Sequence, residues 1–308
     1  MPIRFDGRVA IVTGAGSGLG RSHALMLAAR GAKVVVNDLG GAVDGTGQSK
    51  AAADRVVAEI AAAGGEALAN YESVTDPAGA ARMIAAAIDR FARLDILVNN
   101  AGTLRDKTFA KMDLADFRAV VDVHLMGSVN CTAAAWPHMR ERNYGRVVMT
   151  SSGAGLYGNF GQSNYGAAKM ALVGLMNVLK LEGARNGILV NTVAPVAATR
   201  MTEELMPKHA LPYLKPELVS AAVVYLCSET CQASGDVISA GAGYFARAQM
   251  MEGEGVFFDP DAPADPDTVA AAYGRISDLA HARAFGSAND YIEKVLGRLT
   301  VAPGKNRS

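Results

Sequence analysis

Short apolar runs rich in β-branched residues alternate with longer amphipathic segments along most of the chain. A run of this kind, bounded by turn residues, is typical of a strand that is buried on both faces of a sheet. Seven runs predict such strands: Val9–Thr13, Val34–Asp38, Ala67–Tyr71, Ile96–Val98, Val147–Met149, Leu189–Ala194 and Val237–Ala240.

The segments between these runs carry apolar residues at helical spacing. They predict helices over Arg21–Arg30, Pro77–Phe91, Leu114–Arg142, Tyr165–Asn186 and Pro216–Ser228. Of these, Leu114–Arg142 is either one long helix or two abutting helices. Another, Ala-rich helix is predicted to be capped by Ser49 and to end at Gly64.

Strands that alternate with helices predict an α/β fold: a Rossmann-type, doubly wound, seven-stranded parallel sheet with helices on both faces. We expect residues 1–245 to form this domain, because no linker-like segment divides them. After Gly243 the composition changes, and an acidic, Pro-rich passage precedes two predicted helices, Thr268–Ala284 and Asn289–Leu299. Residues 246–308 are therefore expected to form a C-terminal extension that packs on the domain or on a partner subunit.

The charge balance favours small-molecule partners. Lys and Arg total 30, as do Asp and Glu, so no broad basic surface for nucleic acid is expected. No apolar run approaches the ~18 residues that suggest a membrane span.

The cysteines Cys131, Cys227 and Cys231 lack the companions of a metal site or a disulfide framework, so we expect buried thiols and no metal. The N-terminus has no secretory pattern and the chain does not end in Ser-Lys-Leu, so a cytoplasmic location is expected.

A glycine-rich loop follows the first predicted strand where a helix begins. Gly14, Gly18 and Gly20 have the spacing Gly-x-x-x-Gly-x-Gly rather than the strict G-x-G-x-x-G fingerprint. Glycines let the backbone approach a pyrophosphate, and a helix N-terminus supplies amide donors for it. This loop, which includes Ser17 and Leu19, indicates dinucleotide binding, although a tight turn alone could have the same composition.

Asp38 ends the second predicted strand. A carboxylate at this position can accept hydrogen bonds from an adenosine ribose and repel a 2′-phosphate. Residues 15–17 are Ala, Gly and Ser, which offer no positive charge to such a phosphate. Both observations favour NAD over NADP as the cofactor; the alternative is an Asp that only begins a turn.

Tyr165 and Lys169 are four residues apart in a predicted helix, so they lie on one face. A free phenol titrates near ~10, but a cation one turn away lowers that pKa. Ser152, thirteen residues before Tyr165, could hold a carbonyl or alcohol oxygen. The three residues have the chemistry to move a proton on and off a substrate oxygen, although Tyr and Lys at this spacing also occur on ordinary amphipathic surfaces.

The order and spacing of these motifs resemble the short-chain dehydrogenase/reductase family. The resemblance rests on the glycine loop, Asn99-Asn100-Ala101-Gly102, Ser152 and Tyr165-x-x-x-Lys169, and covers about residues 5–245. It implies a nicotinamide-dependent oxidoreductase that forms a homodimer or a homotetramer. Tyr165 would be the general acid/base, Lys169 would lower its pKa and bind the nicotinamide ribose, and Ser152 would hold the oxygen.

The resemblance also implies further site residues. The cofactor would be lined by Asn100 and Gly102, by Ser73 and Val74 at the adenine, and by Ala198 and Thr199 at the nicotinamide carboxamide. His124 stands where the wider family has Asn, and it would either hold a water or carbonyl for the proton path or be a packed structural residue. The segment Thr202–Leu214, after the sixth strand, would be a substrate lid.

Several blocks more closely resemble the dehydrogenase domain of the peroxisomal multifunctional enzyme type 2 subgroup. They are residues 36–41, 69–74, 104–106, 123–125, 157–162 and 200–202. The subgroup implies NAD-dependent oxidation of a (3R)-3-hydroxyacyl-CoA to the 3-oxoacyl-CoA. Two alternatives stay open: a dehydrogenase of hydroxysteroids or steroid-side-chain acyl-CoAs, and a 3-oxoacyl-carrier-protein reductase that uses NADPH. A non-catalytic NAD-binding protein is disfavoured by the intact Ser152, Tyr165 and Lys169.

Overall fold

The computed structural model describes residues 2–198, 208–260 and 265–297. The chain falls into two compact units, Met1–Ala248 and Gln249–Ser308. The first unit contains the sheet, and the second contains two described helices. The predicted division into a domain of residues 1–245 and a C-terminal extension of residues 246–308 that packs on the domain or on a partner subunit stays a prediction.

The sheet has eight strands among the described residues: β1 (Val9–Thr13), β2 (Lys33–Asn37), β3 (Ala67–Asn70), β4 (Ile96–Asn99), β5 (Gly145–Thr150), β6 (Ile188–Val196), β7 (Val237–Gly241) and β8 (Tyr244–Ala248). Their order is β3-β2-β1-β4-β5-β6-β7-β8. All neighbours are parallel except β7 and β8, which are antiparallel. The strand order reverses between β1 and β4, and ligands of such sheets bind outside the carboxyl ends of the strands at this point.

The helices of the first unit are α1 (Gly18–Ala29), α2 (Ala51–Ala62), α3 (Pro77–Phe91), α4 (Leu114–Val121), α5 (Gly127–Arg142), α6 (Gly153–Tyr157), α7 (Ser163–Gly183) and α8 (Pro216–Leu226). A π-helical turn, Asp122–Met126, joins α4 to α5. Short 3₁₀ turns lie at Phe109–Lys111, Ala184–Asn186 and Leu211–Tyr213. The helices of the second unit are α9 (Pro266–Ile276) and α10 (Ala288–Gly297).

Apolar side chains cover both faces of the sheet. Successive residues of a strand point to opposite faces, so a strand buried on both sides needs an unbroken apolar run. In β2, Val34 and Val36 pack into one cluster with residues of α1, α2 and α8, whereas Val35 packs into the other with residues of α3, α5 and α7. This arrangement explains why the strands were recognisable as continuous runs.

The predicted α/β class and all seven predicted strands are confirmed, and β8 is an additional, antiparallel strand at the sheet edge. The long predicted helix over Leu114–Arg142 is confirmed as two helices joined by the π turn. Among the described residues, no helix has both the length and the apolar character needed to cross a bilayer.

Two local predictions are wrong. Ser49 does not cap α2, which begins at Ala51; its amide instead donates to the Leu39 carbonyl (3.0 Å) and closes the preceding loop. The helix predicted over Thr268–Ala284 ends at Ile276, because the chain then turns back and Arg283 pairs with Glu252 in an antiparallel bridge.

Candidate active site

The glycine loop lies between the end of β1 and the start of α1, at the carboxyl edge of the sheet. Gly14 has a φ of +63°, and a Cβ there would lie 2.8 Å from the Cα of Ala101. A Cβ on Gly20 would collide with the carbonyl oxygen of Gly14 and with the side-chain amide of Asn100. The loop is thus packed against the Asn100–Ala101 segment so closely that larger residues would displace it.

Asn100, which directly follows β4, holds this loop in place by hydrogen bonds. Its Nδ2 donates to the carbonyls of Thr13 (2.9 Å) and Gly14 (3.1 Å). The Thr13 hydroxyl oxygen in turn accepts from the amides of Asn100 and Ala101, each at 3.0 Å. Thr13 was missed as a site residue, although a hydroxyl residue at the end of a strand next to glycines could have suggested it. The two side chains tie the ends of β1 and β4 together.

Asp38 follows β2 and turns its carboxylate toward the glycine loop. Its Oδ2 accepts from the amide of Gly16 (2.7 Å), and its Oδ1 accepts from the amide of Gly40 (2.6 Å). A carboxylate has about four acceptor sites, so both oxygens keep a further lone pair for a ribose hydroxyl. Asp38 therefore shapes the loop as well as presenting a negative charge there.

The other residues predicted to line the cofactor are placed in and around the same edge. Ser17 precedes the first residue of α1, and Leu19 packs partly against the core. The Ser73 hydroxyl contacts the Thr75 hydroxyl (2.8 Å). Val74 is buried, and a Cβ on Gly127 would press against it. Val74 is thus part of the core as well as a candidate adenine contact.

The segment after β6 is described as far as Ala198, whose amide donates to the Leu214 carbonyl (2.8 Å). Thr199 lies outside the described residues, as do residues 202–207 of the predicted lid, Thr202–Leu214. The roles predicted for Ala198 and Thr199 toward the nicotinamide stay predictions.

Ser152 and Ser151 have different roles. The Ser152 Oγ accepts from the amide of Ala154 (3.2 Å) and so caps the short helix α6, which was not predicted. An oxygen that accepts this bond still has its own O–H to donate. The Ser151 hydroxyl is buried and donates to the Lys169 carbonyl (2.8 Å), so it holds α7 in place. Of the two, Ser152 has the hydroxyl that is available for a ligand.

Tyr165 and Lys169 lie one turn apart in α7. The Lys169 ammonium is 5.4 Å from the centroid of the Tyr165 ring, and it donates to the Thr150 carbonyl (2.5 Å). Burial lowers the pKa of Lys169 to about 7. Because the amine is taken out of water, its charged form is disfavoured near neutral pH.

The pKa of Tyr165 differs from the sequence-based expectation. Lys169 was expected to lower it, but the pKa of Tyr165 is raised, first because the phenol is buried. The Ser152 side chain lowers this pKa, and the charge of Asp106 raises it. Ser152 is therefore the side chain that favours the phenolate of Tyr165.

His124 lies in the π turn and contacts Tyr165 of α7. Its ring meets that of Tyr165 edge to face, and its Nε2 lies 2.8 Å from the Thr103 carbonyl. Burial and the charge of Lys169 keep the pKa of His124 well below its usual value, so the ring is neutral. Its Nδ1 is buried and has no hydrogen-bond partner among the described residues. The structure thus shows a packed, neutral histidine beside Tyr165.

A polar cluster near Tyr165 was not predicted as part of the site. The Gln162 amide donates to Asp106 Oδ2 (2.6 Å) and accepts from Asn159 (2.9 Å). Asp106 belongs to residues 104–106, one of the blocks that resemble the type 2 multifunctional enzymes. The sequence alone does not show that it approaches Gln162, which is 56 positions away. The cluster holds a carboxylate close enough to Tyr165 to affect its pKa.

Comparisons with known proteins agree with this geometry. The family model described as short chain dehydrogenase matches residues 8–210. The peroxisomal multifunctional enzyme type 2 of Drosophila melanogaster is 49% identical over 98% of this chain, which spans 51% of that protein. The full-length structure of that enzyme matches with a TM-score of 0.82 at 43% identity, covering 97% of this chain and 50% of the other.

Two further matches are shorter proteins. A Mycobacterium tuberculosis protein named as a short-chain type dehydrogenase/reductase is 52% identical, over 91% of this chain and 97% of its own length. The structure of a 7α-hydroxysteroid dehydrogenase complexed with NADH and 7-oxo glycochenodeoxycholic acid matches with a TM-score of 0.71 at 28% identity. That match covers 78% of this chain and 95% of the other.

Proposed function

The chain belongs to the short-chain dehydrogenase family and is an NAD-dependent oxidoreductase, and we propose that it oxidises a (3R)-3-hydroxyacyl-CoA to the 3-oxoacyl-CoA. The observation that carries the proposal is the placement of Ser152, Tyr165 and Lys169 at the carboxyl edge of the sheet that also carries the glycine loop and Asp38. The acyl-CoA substrate is supported by the resemblance to the type 2 multifunctional enzymes, of which the chain spans only part.

The residues at the sheet edge suit a dinucleotide. The glycine loop leaves no room for Cβ atoms at Gly14 and Gly20, and α1 begins within it, so backbone amides can face a pyrophosphate. The Asp38 carboxylate has acceptor capacity for the adenosine ribose and repels a 2′-phosphate. When bound, NAD supplies the acceptor for the hydride that leaves the carbinol carbon.

The chain itself would position the alcohol and move its proton. The Ser152 hydroxyl, held by the amide of Ala154, donates to the substrate oxygen. Tyr165, whose ring packs against His124 and whose phenolate is favoured by the Ser152 side chain, takes the hydroxyl proton. Lys169, anchored on Thr150, has further N–H groups for the nicotinamide ribose.

A steroid substrate is the second candidate. The similarity to the 7α-hydroxysteroid dehydrogenase structure favours it, and such a dehydrogenase would use the same Ser152, Tyr165 and Lys169. A 3-oxoacyl-carrier-protein reductase running on NADPH is less well supported, because Asp38 would repel the 2′-phosphate.

The test is NAD reduction by the purified chain against (3R)- and (3S)-3-hydroxyacyl-CoAs of different chain length, with steroid-side-chain acyl-CoAs and free hydroxysteroids as the competing panel. We expect turnover of the (3R) acyl-CoAs with NAD rather than NADP. The matched variant Tyr165→Phe should bind NADH normally and lose roughly a hundredfold or more in turnover, the usual scale of a positioned acid/base. Turnover of steroids alone, or near-normal turnover in Tyr165→Phe, would contradict the proposal.

Assembly and location belong to the same proposal. A homodimer or homotetramer is expected from the family resemblance, and sedimentation equilibrium measures it. A cytoplasmic location is expected from the sequence, whereas the Drosophila relative is named as peroxisomal. Fractionation of the source cells distinguishes the two locations.

A further inference from the structure

Residues 39–49, which follow β2 and Asp38, form a closed loop that we call the strap. The Ser49 amide donates to the Leu39 carbonyl (3.0 Å), so the strap begins and ends at the same place. Within it, the Ala42 amide donates to the Thr46 carbonyl (2.7 Å), and Asp44 Oδ1 accepts from the amide (2.9 Å) and the hydroxyl (2.7 Å) of Thr46. Its own hydrogen bonds therefore give the strap a defined shape.

The tip of the strap is fastened to the segment after β4. The Val43 carbonyl accepts from the Thr103 hydroxyl (2.8 Å) and from the Leu104 amide (3.0 Å). The Asp44 carbonyl accepts from Nε of Arg105 (3.0 Å). Three donors of residues 103–105 thus converge on two neighbouring carbonyls of the strap.

The order of the strands fixes what the strap must cross. β1 lies between β2 and β4 in the sheet. A loop that leaves the carboxyl end of β2 and bonds to the segment after β4 therefore passes over the carboxyl end of β1. The glycine loop, Gly14–Gly20, lies at that end. Gly16 of this loop contacts Asp38, which directly precedes the strap: its amide donates to the carboxylate (2.7 Å), and a Cβ there would lie 2.8 Å from it.

Arg105 connects the strap to the helix that carries Tyr165. Its Nη1 donates to Asp116 of α4 (3.1 Å), and its carbonyl accepts from Nδ2 of Asn164 (2.9 Å). Asn164 is fully buried, and its Oδ1 accepts from the amide of Tyr165 (2.7 Å). A continuous chain of hydrogen bonds thus runs from the strap through Arg105 and Asn164 to Tyr165.

We propose that the strap closes over the adenosine half of the bound dinucleotide, and that Arg105 is a positioning residue that couples this closure to Tyr165. The inference rests on the proposed function, because it takes the glycine loop and Asp38 as the dinucleotide-binding site. The strap offers backbone amides and carbonyls from a segment with four glycines, Gly40, Gly41, Gly45 and Gly47, and its one carboxylate is turned onto Thr46. Such a surface suits the neutral sugar and base of adenosine.

Hydrogen exchange of the peptide that covers residues 39–50 tests where the strap closes. With the full chain, NADH and AMP should both slow its exchange, whereas nicotinamide mononucleotide should not, because it lacks the adenosine. Equal exchange of this peptide with and without NADH would overturn the proposal, as would protection by nicotinamide mononucleotide alone.

Two variants remove hydrogen bonds between the strap and residues 103–105, and a third serves as a matched control. Arg105→Ala removes one donor to the strap, and Thr103→Val removes another without changing the side-chain shape. Each should speed NADH release by about fivefold to tenfold, the scale of one lost hydrogen bond. Arg105→Ala should also lower kcat, because the backbone carbonyl that accepts from Asn164 would no longer be held to the strap by the Arg105 side chain. The control Lys107→Ala removes the other cation on Asp116 without touching the strap and should release NADH at the normal rate.

The results separate this inference from the proposed function. A chain that binds NADH with a protected strap but does not oxidise (3R)-3-hydroxyacyl-CoAs keeps the strap and loses the substrate. If the chain oxidises them normally and NADH release is unchanged in both Arg105→Ala and Thr103→Val, the proposed function is supported and the proposed closure of the strap is refuted. A merely structural Arg105 would lower thermal stability in Arg105→Ala and leave NADH release and strap protection unchanged.

Discussion

The imidazole of His124 meets the ring of Tyr165 edge to face, with the ring centroids 5.1 Å apart and an angle of 87° between the planes. The same imidazole also lies against Gly102, where a Cβ would collide with Cε1. His124 is thus packed against both a glycine of the segment after β4 and the tyrosine of α7. The position of the Tyr165 ring depends on both neighbours.

Gly102→Ala should displace His124 and thereby disturb Tyr165. We expect the free energy of unfolding to fall by about 1–3 kcal/mol, the usual scale of overpacking, and kcat to fall more than the affinity for the acyl-CoA. Urea unfolding and steady-state kinetics measure the two effects. The control Gly274→Ala lies on an exposed face of α9 with open space around it, and should stabilise by about 0.5–1 kcal/mol with normal kcat. Normal kinetics in Gly102→Ala would show that the His124 contact does not matter.

Lys169→Met should abolish turnover and stabilise the protein without cofactor. The pKa of Lys169 is about 7 in the folded chain and 10.5 in the unfolded chain, so between these values the unfolded state binds the extra proton. The wild type therefore gains stability as pH rises from 7 to 10, whereas the variant does not. After the lost bond to Thr150, we expect the variant to be more stable by about 1–3 kcal/mol at pH 7. Urea unfolding at pH 7 and 9.5 should show this gap closing with pH.

Asp106→Asn should move the pH profile of oxidation to lower pH. The charge of Asp106 raises the pKa of Tyr165, and oxidation requires the phenolate. Removal of the charge therefore lets the rise of kcat/KM with pH begin earlier. The side-chain amide of Asn keeps an oxygen that can accept from Gln162. If the pH profile of kcat/KM does not move in Asp106→Asn, its rise with pH reports the titration of a group other than Tyr165.

Asp38→Ala should change both the preference and the affinity for the cofactor. Loss of the carboxylate removes the repulsion of a 2′-phosphate, so the ratio of NADP to NAD turnover should rise. The same change leaves the amides of Gly16 and Gly40 without their acceptor, so NAD itself should bind about tenfold more weakly. Steady-state kinetics with NAD and NADP measures the turnover ratio, and calorimetric titration with NAD measures the affinity. An unchanged preference for NAD over NADP would show that Asp38 does not determine the choice of cofactor.

His23 should make the protein sensitive to acid. It is fully buried in α1, its Nδ1 lies 2.7 Å from the Ser220 hydroxyl of α8, and burial lowers its pKa to about 3. The unfolded chain takes up this proton near pH 6.5, so the contribution of His23 to stability falls as pH drops from 6.5 toward 3. The loss should be about 2 kcal/mol at pH 5. His23→Gln should lose less stability than the wild type between pH 7 and 5; equal losses would contradict the assignment.

The sequence indicated what is local in the chain. The unbroken apolar runs predicted the strands because parallel strands are buried on both faces. The glycine loop, Asp38 and the ordered Ser152, Tyr165 and Lys169 could be placed at one sheet edge because each follows a strand or sits at a helix start. β8 was missed because its turn, Ala242-Gly243, has positive φ at both residues, which usually calls for Asn-Gly or Gly-Gly.

The remaining features depend on contacts between distant parts of the chain. The strap is held through the carbonyls of Val43 and Asp44, and a carbonyl leaves no mark in the sequence. The raised pKa of Tyr165 follows from burial, which the spacing of Tyr165 and Lys169 does not show. The role of Asn100 as a brace of the glycine loop likewise appears only when β1 and β4 are side by side.

The π turn that carries His124 has a consequence for chain length. Such a turn contains one residue more than the α-helical repeat needs, and each residue advances a helix by about 100°. Deletion of a single residue within Asp122–Met126 would let α4 and α5 continue as one regular helix with little rotation of one against the other, because the wide turn already absorbs the extra residue. The side chains of the turn itself would return to the regular spacing, and the imidazole would move away from Tyr165. The site is therefore encoded partly by a count of residues, and a one-residue deletion here would change it more than most substitutions.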